Sequence, residues 1–296
     1  MHLFETIRAS FRKGTSLTRL IYINIAVFIL IAAGSIVSFL LDNPELQAKI
    51  VNILAVPSSF TSLLKRPWTL ITYMFTHKDV LHILFNLLWL YWFGLIFLEY
   101  LDQKKMVAVY LLGGLSGALV YILSFNIFPV FGKVVDTSVA IGASASVMAI
   151  VISIAAWVPD YSVSLLLLGR IRIKYLALAI FVLTSVLDFS VNSGGKLAHM
   201  GGALFGYLYA VNLHRGRDLG KWINRVIDFF VTTLRPREKK IRVTNKKPVS
   251  DYDYNKRKTE RQEKINIILD KISKGGYDSL TKEEKDFLFR ESQNKN

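Results

Sequence analysis

The sequence predicts an all-α membrane protein, a bundle of six transmembrane helices followed by an amphipathic helix and a small cytoplasmic helical tail. Three observations carry that reading. Apolar runs near twenty residues long recur through the first two thirds of the chain, and about 20 residues at ~1.5 Å rise match a hydrocarbon core of about 30 Å. Half of the sequence, 52%, is hydrophobic, and its mean hydropathy is +0.36. The net charge of +15 is concentrated at one end, with over half of the lysines and arginines after His214.

Residues 1–19 form a polar, basic segment carrying Arg8, Arg12, Lys13 and Arg19. The first apolar run, 20–41, is too long for a signal-peptide core and lacks a small-x-small cleavage site, so it reads as the first span. Residues 42–80 are mixed, with Pro57, Lys65, Arg66 and Pro67 among aromatic and aliphatic residues. A stretch that long should hold short helices at the membrane interface. The other spans read 81–100, 106–127, 139–158, 175–189 and 197–213, which makes 20–213 one membrane domain. Arg170, Arg172 and Lys174 mark an interfacial loop before the fifth.

Residues 214–261 then read as an amphipathic helix and a basic linker. Leu219, Trp222, Ile223, Val226, Ile227 and Phe230 recur at helical spacing, suited to the inner leaflet. Residues 262–296 read as a helical hairpin. Ile265, Ile268, Leu269 and Ile272 form one stripe, Gly275-Gly276 can end that helix, and Thr281 to Glu284 has capping-box spacing.

Positive charge in short loops sets the orientation. Lys104, Lys105, the 170–174 cluster, the N-terminal arginines and the tail all fall inside, which puts both termini in the cytoplasm of a cell-membrane protein. Lys133 and Lys196 fall outside, with a few more cations spread through the first loop. The basic tail therefore reads as a neighbour of the anionic lipid bilayer, and no nucleic acid is implied. With no cysteine, disulfides, thiol catalysis and cysteine metal sites are excluded.

Polar side chains inside spans are costly and mark function. Here they are His82 and Asn86 in the second span, Ser144 and Ser146 in the fourth, Asp188 closing the fifth and His199 in the sixth. The even-numbered spans all run inward, so His82, Ser144 and His199 share one outer depth, within roughly 10 Å of the surface. A serine beside a histidine suggests nucleophilic catalysis, because the hydroxyl needs a base to take its proton. Gly142, Ala143 and Ala145 permit close approach to Ser144, and Gly202 with Gly206 forms a small-xxx-small face that can draw the sixth span onto the fourth. His82 and Asn86, four apart on one face, can donate to an oxyanion.

These motifs resemble the rhomboid intramembrane serine proteases over residues 68–213. The match rests on Gly142-Ala143-Ser144-Ala145, on Ala198-His199-x-x-Gly202-x-x-x-Gly206, and on His77-x4-His82-x3-Asn86. The resemblance implies Ser144 as nucleophile and His199 as general base, with no acidic third member. It also implies an oxyanion hole of His82, Asn86 and the Ser144 backbone N–H. Trp68 and Thr76 fit the first-loop pattern, but Thr69 stands where many members carry arginine, removing one side of an ion pair to Glu99. Ala145 replaces a common glycine, and Met148 takes the place where some members stack an aromatic under the histidine.

Blander roles suit other residues. Ser146 reads as a packing serine, His77 as a structural hydrogen-bonding residue of the first loop, and Asp188 falls too near the end of its span to complete a triad. No metal or nucleotide cofactor is implied, since the five histidines come without clustered carboxylates and no phosphate-cradling loop is present. The expected activity is a serine endopeptidase acting on transmembrane segments of single-span or multi-span membrane proteins. A catalytically inactive relative that binds such segments is the alternative. A transporter would need mid-bilayer charges and repeat-related broken helices, and the sequence has neither. The C-terminal hairpin reads as a docking module for a cytoplasmic partner.

Overall fold

The computed structural model describes residues 3–165, 169–234 and 250–293. The chain divides into two compact units, Met1–Arg235 and Pro236–Asn296. The first unit opens with α1 (Leu3–Lys13) and α2 (Ser16–Leu40), whose start is capped by Thr15 accepting from the Thr18 N–H at 3.3 Å. The first loop holds three short helices, α3 (Pro44–Leu54), α4 (Phe60–Lys65) and α5 (Thr69–Thr72), with a 3-10 turn at Tyr73–Phe75. It also holds a strand that periodicity did not signal. Residues Val56–Pro57 (β1) pair antiparallel with Val139–Ala140 (β2).

Five more helices follow in this unit before the last one: α6 (Val80–Tyr100), α7 (Gln103–Ile127), α8 (Ser144–Trp157), α9 (Ile173–Phe181) and α10 (Ser193–His214). Among the described residues, α2, α6 and α7 are long and apolar enough to cross a membrane, while α8 and the 173–186 segment are shorter apolar helices. Asp79 and Asp102 cap α6 and α7 by accepting from the N–H groups of His82 and Lys105.

Two sequence expectations need correction, and a third gains detail. The fourth apolar run was expected to be helical from 139, but its first residues pair with the first loop and the helix begins only at Ser144. Gly142 there adopts φ +121°, a conformation that favours glycine. The basic 170–174 stretch, expected as a loop before the fifth run, lies mostly in a hairpin of Ser162–Leu165 (β3) and Gly169–Arg172 (β4). Asp160 anchors it: bonded at 2.8 Å to Lys174 and at 3.2 Å to Arg172, its carboxyl is held below the usual carboxylate range. The fifth run begins at Ile173 and ends as a π-helical turn, Val182–Val186, so Asp188 (φ +47°) lies beyond the helix.

Without a hydrophobic driving force in lipid, helix contacts rest on close packing of small residues. Here α7, α8 and α10 meet along such a seam. A Cβ added at Gly113 would lie 2.2 Å from the Ala149 Cβ, and one at Gly202 would lie 2.1 Å from the Ala145 carbonyl oxygen. A Cβ at Gly206 would fall 2.4 Å from the Ala149 oxygen. Ser116 donates to the Gly201 carbonyl at 2.9 Å across the α7–α10 contact. By contrast α2 exposes Ile29, Leu30, Ile36 and Phe39 on its outer face, and its buried Asn24 donates inward to the Tyr110 hydroxyl.

After α10, α11 (Lys221–Leu234) turns Ile223 and Ile227 partly inward and leaves Trp222, Val226 and Phe229 exposed. Lys104 pairs with Asp228 at 2.7 Å and ties it to the start of α7.

The second unit consists of α12 (Asp251–Gly275) and α13 (Lys282–Gln293). Residues 251–261, expected in a linker, are helical because Ser250 caps them, accepting from the Asp253 N–H at 3.1 Å, and helix formers follow. The rest of the expected linker, 235–249, lies outside the described residues. Ile268 and Leu280 are buried, but Leu269, roughly 100° round the helix, faces solvent and leaves the stripe. The capping box forms, with the Thr281 N–H donating to Glu284 at 2.8 Å and the Glu284 N–H to the Thr281 hydroxyl at 3.3 Å.

The seam is testable. Gly206→Val should destabilise the first unit by about 1–3 kcal/mol through overpacking, read as an earlier SDS-induced unfolding midpoint. Gly132→Ala, whose nearest neighbour would be a carbonyl oxygen at 3.3 Å, should leave the midpoint within error.

Candidate active site

Ser144 is the first residue of α8, and the turn before it is held from two sides. The Gly142 N–H donates to the Tyr73 carbonyl at 2.9 Å. The Ala143 N–H donates to His77 Nε2 at 3.2 Å, while His77 Nδ1 lies 3.3 Å from the Phe75 carbonyl. His77 is fully buried, and with Nδ1 donating to that carbonyl its Nε2 is free to accept. At a helix start the first N–H groups, here from Ser144 onward, have no intrahelical acceptor and carry the positive end of the helix dipole.

A cavity of about 190 Å³ opens on this turn, lined by His82, Asn86, Trp89, Ser144, Met148 and His199, with Phe85, Val147, Val151, Ile180 and Thr184 completing the wall. Its polar groups come from the starts of α6, α8 and α10 and from the end of the α9 segment. A Cβ on Gly142 would lie 2.8 Å from His82 Cε1 and 3.7 Å from Ser144 Oγ, so the absent side chain leaves that space open. His82 packs edge-on against His77, with ring centroids 5.2 Å apart. Asn86 donates one amide hydrogen to the His82 carbonyl at 2.8 Å, which fixes the group and leaves its second hydrogen for the cavity.

His199 Nδ1 lies 3.2 Å from the Thr184 carbonyl oxygen on the π-helical turn. No Ser144–His199 hydrogen bond occurs among the described residues, although both line the same cavity. Catalytic hydrogen bonds are often loose before substrate binds. Asp188 lies apart: it accepts from the Ser190 hydroxyl at 2.9 Å, and the neighbouring carbonyls receive Lys196. Ser146 is buried against α7 and does not line the cavity. Gly202 and Gly206 lie one and two turns beyond His199, on the face pressed against α8.

The first loop shows what stands in place of the missing arginine. Thr69 is fully buried and donates to the Arg66 carbonyl at 2.6 Å, closing the start of α5. Trp68 donates to the Ile53 carbonyl at 2.9 Å, and the Thr72 hydroxyl to the Leu54 carbonyl at 2.7 Å. Neutral hydrogen bonds therefore stitch this part of the loop, and Arg66 adds a guanidinium bond to the Asn52 carbonyl.

The Rhomboid domain family matches residues 64–216, just over half of the chain. The chain belongs to the rhomboid family. It is an integral membrane protein, and its family consists mostly of intramembrane serine proteases. The matched segment contains the whole wall of the cavity. A second family, of unknown function (DUF6576), matches residues 250–294, which cover α12 and α13. No curated protein matches the chain.

Sequence reasoning singled out Ser144, His199, His82, Asn86 and His77, and all but His77 line the cavity. It missed the Thr184 carbonyl, for which no side-chain signal exists, and the pairing of His77 with the Ala143 N–H. The sequence does bring His77 and His82 close together, but which ring nitrogen meets the turn depends on the fold.

His77→Ala would leave the buried Ala143 N–H without a partner, at a cost of about 1–3 kcal/mol. A lowered thermal midpoint of the purified protein, partly restored in His77→Gln, is the expected result.

Proposed function

We propose that this rhomboid is an active intramembrane serine endopeptidase, with Ser144 as nucleophile and His199 as base. The observation that supports this most is the shared cavity, in which a serine at the start of α8 lies with His82 and Asn86 of α6 and His199 of α10. Ser144 Oγ attacks the scissile carbonyl while His199 Nε2 takes its proton. The same nitrogen returns the proton to the leaving amine, and water then hydrolyses the acyl-enzyme. The Ser144 N–H, His82 and the free Asn86 hydrogen donate to the oxyanion.

In this reading α2, α6, α7, α8, the α9 segment and α10 are the six spans, with both termini in the cytoplasm of a cell-membrane protein. Charge asymmetry supports the orientation. Helix α8 has 14 residues, about 21 Å by helix rise against a core of about 30 Å. With Trp157 at the inner interface, Ser144 then lies several ångströms below the outer surface, open to water only through the cavity. The substrates are transmembrane segments of single-span or multi-span proteins. They must unwind to expose the peptide bond, which favours Gly or Pro near the cut and a small residue before it. The α12–α13 hairpin serves a cytoplasmic partner, a role supported by its separate compactness. The absent Ser144–His199 bond and Thr69 favour the second reading, an inactive relative that binds transmembrane segments.

Incubation of the purified protein with a labelled single-span substrate separates the two. Ser144→Ala and His199→Ala should each lower kcat by about 10³-fold or more, and His82→Ala or Asn86→Ala by roughly 10²–10³-fold. Cleavage unchanged in Ser144→Ala, or no cleavage over a substrate panel with no fluorophosphonate labelling of Ser144, would overturn the protease reading.

A further inference from the structure

A histidine base without an acidic partner still needs something to choose which ring nitrogen carries the proton. In a neutral imidazole one nitrogen donates and the other accepts, and the choice follows from the hydrogen bond that one of them makes. The usual partner is a carboxylate, and the nearest candidate by sequence, Asp188, is occupied by Ser190. His199 Nδ1 instead faces the Thr184 carbonyl at 3.2 Å.

That carbonyl is available for a structural reason. Residues Val182–Val186 form a π-helical turn closed by the Leu187 N–H on the Val182 carbonyl at 3.1 Å, and the chain leaves helical geometry at Leu187. Thr184 therefore lies in the last turn, where carbonyls lose their intrahelical donors. π-Turns of this kind gather at functional sites. Two further contacts steady it. The Thr184 hydroxyl donates to the Ile180 carbonyl at 2.8 Å, and Lys196, three residues before His199, donates to the Leu187 and Asp188 carbonyls. The end of the α9 segment is thus tied to the first turns of α10 by Lys196 as well as by the imidazole itself.

We propose that the Thr184 backbone carbonyl is the positioning partner of the base, holding the proton on His199 Nδ1 and presenting the unprotonated Nε2 to Ser144. A carbonyl can only accept, so the bond admits one tautomer. It is a neutral dipole, which orients the ring as an acid would without adding a buried charge. Because the partner sits on a different helix, the base is correctly set only while the end of the α9 segment is seated on α10. The inference rests on the protease reading for its role, but the tautomer can be read without turnover.

The test uses the full chain in nanodiscs, labelled with ¹⁵N-histidine, the His199 signal being identified by its loss in His199→Gln. Wild type should show the Nδ1–H tautomer above the range where the ring is charged. Replacing Ser185 by its α-hydroxy acid turns the Thr184–Ser185 peptide into an ester and weakens that carbonyl as an acceptor. The expected result is a shift towards the Nε2–H tautomer and about three- to tenfold slower fluorophosphonate labelling of Ser144. The same ester at Ala179, elsewhere in the helix, should change neither. If the ester at 185 does not insert, deletion of Leu183, which should close the π-turn into an α-turn and swing the carbonyl away, must give the same tautomer shift. An Nε2–H tautomer in wild type, or an unaltered spectrum in these variants, overturns the proposal. A wild type that shows Nδ1–H but neither labels nor cleaves would overturn the protease reading alone.

Discussion

Backbone buried outside regular helix must find its hydrogen-bond partners inside the protein, and the turn before Ser144 depends on that constraint. The short β1–β2 pairing takes up residues 139 and 140, the Tyr73 carbonyl takes the Gly142 N–H, and His77 takes the Ala143 N–H. Only after these does α8 begin. The first loop is therefore the mould in which the turn is cast, and its many local hydrogen bonds serve that end. Ser58, next after β1, adds to the grip by donating its hydroxyl to the Val135 carbonyl at 2.6 Å and its N–H to the Ser138 carbonyl at 3.1 Å.

The second condition is close approach. Glycines on α7 and α10 bring backbone against backbone along α8, with Gly202 seated on the Ala145 carbonyl, one residue beyond Ser144. The catalytic assignment and the packing thus share the same few residues. A side chain at Gly202 would move the helix that carries His199 as well as fill space. Small residues here do in lipid what apolar burial does in water, since dispersion and short contacts replace the hydrophobic effect between helices.

The departures from the family pattern acquire physical content in the structure. Thr69 closes the N-terminal turn of α5 with its hydroxyl, so the loop is ordered by hydrogen bonds that need no buried charge. The exposed acidic side that an arginine would have met, Glu99, lies instead near the Tyr161 hydroxyl. Met148, a flexible apolar residue, lines the cavity with His199, where it can fill an irregular gap. The ring's orientation is left to the Thr184 contact.

Much of the fold was legible without coordinates because hydrophobic run length is a one-dimensional property. Runs near twenty residues and the Thr281–Glu284 box depend only on neighbours in sequence. Polar residues in apolar runs were equally visible, which is why Ser144, His199, His82 and Asn86 could be named together. The misreadings fall where distant segments meet. The first residues of the fourth run are a strand because β1 lies beside them, and Leu269 is exposed because it lies off the face that carries the partly buried Ile265 and Ile272 and the buried Ile268. By itself the sequence determined which polar side chains to propose for the chemistry, since cost in an apolar run marks them residue by residue. Tertiary structure alone decided that His199 Nδ1 meets a backbone carbonyl, because every residue has one and only the fold brings this one to face His199.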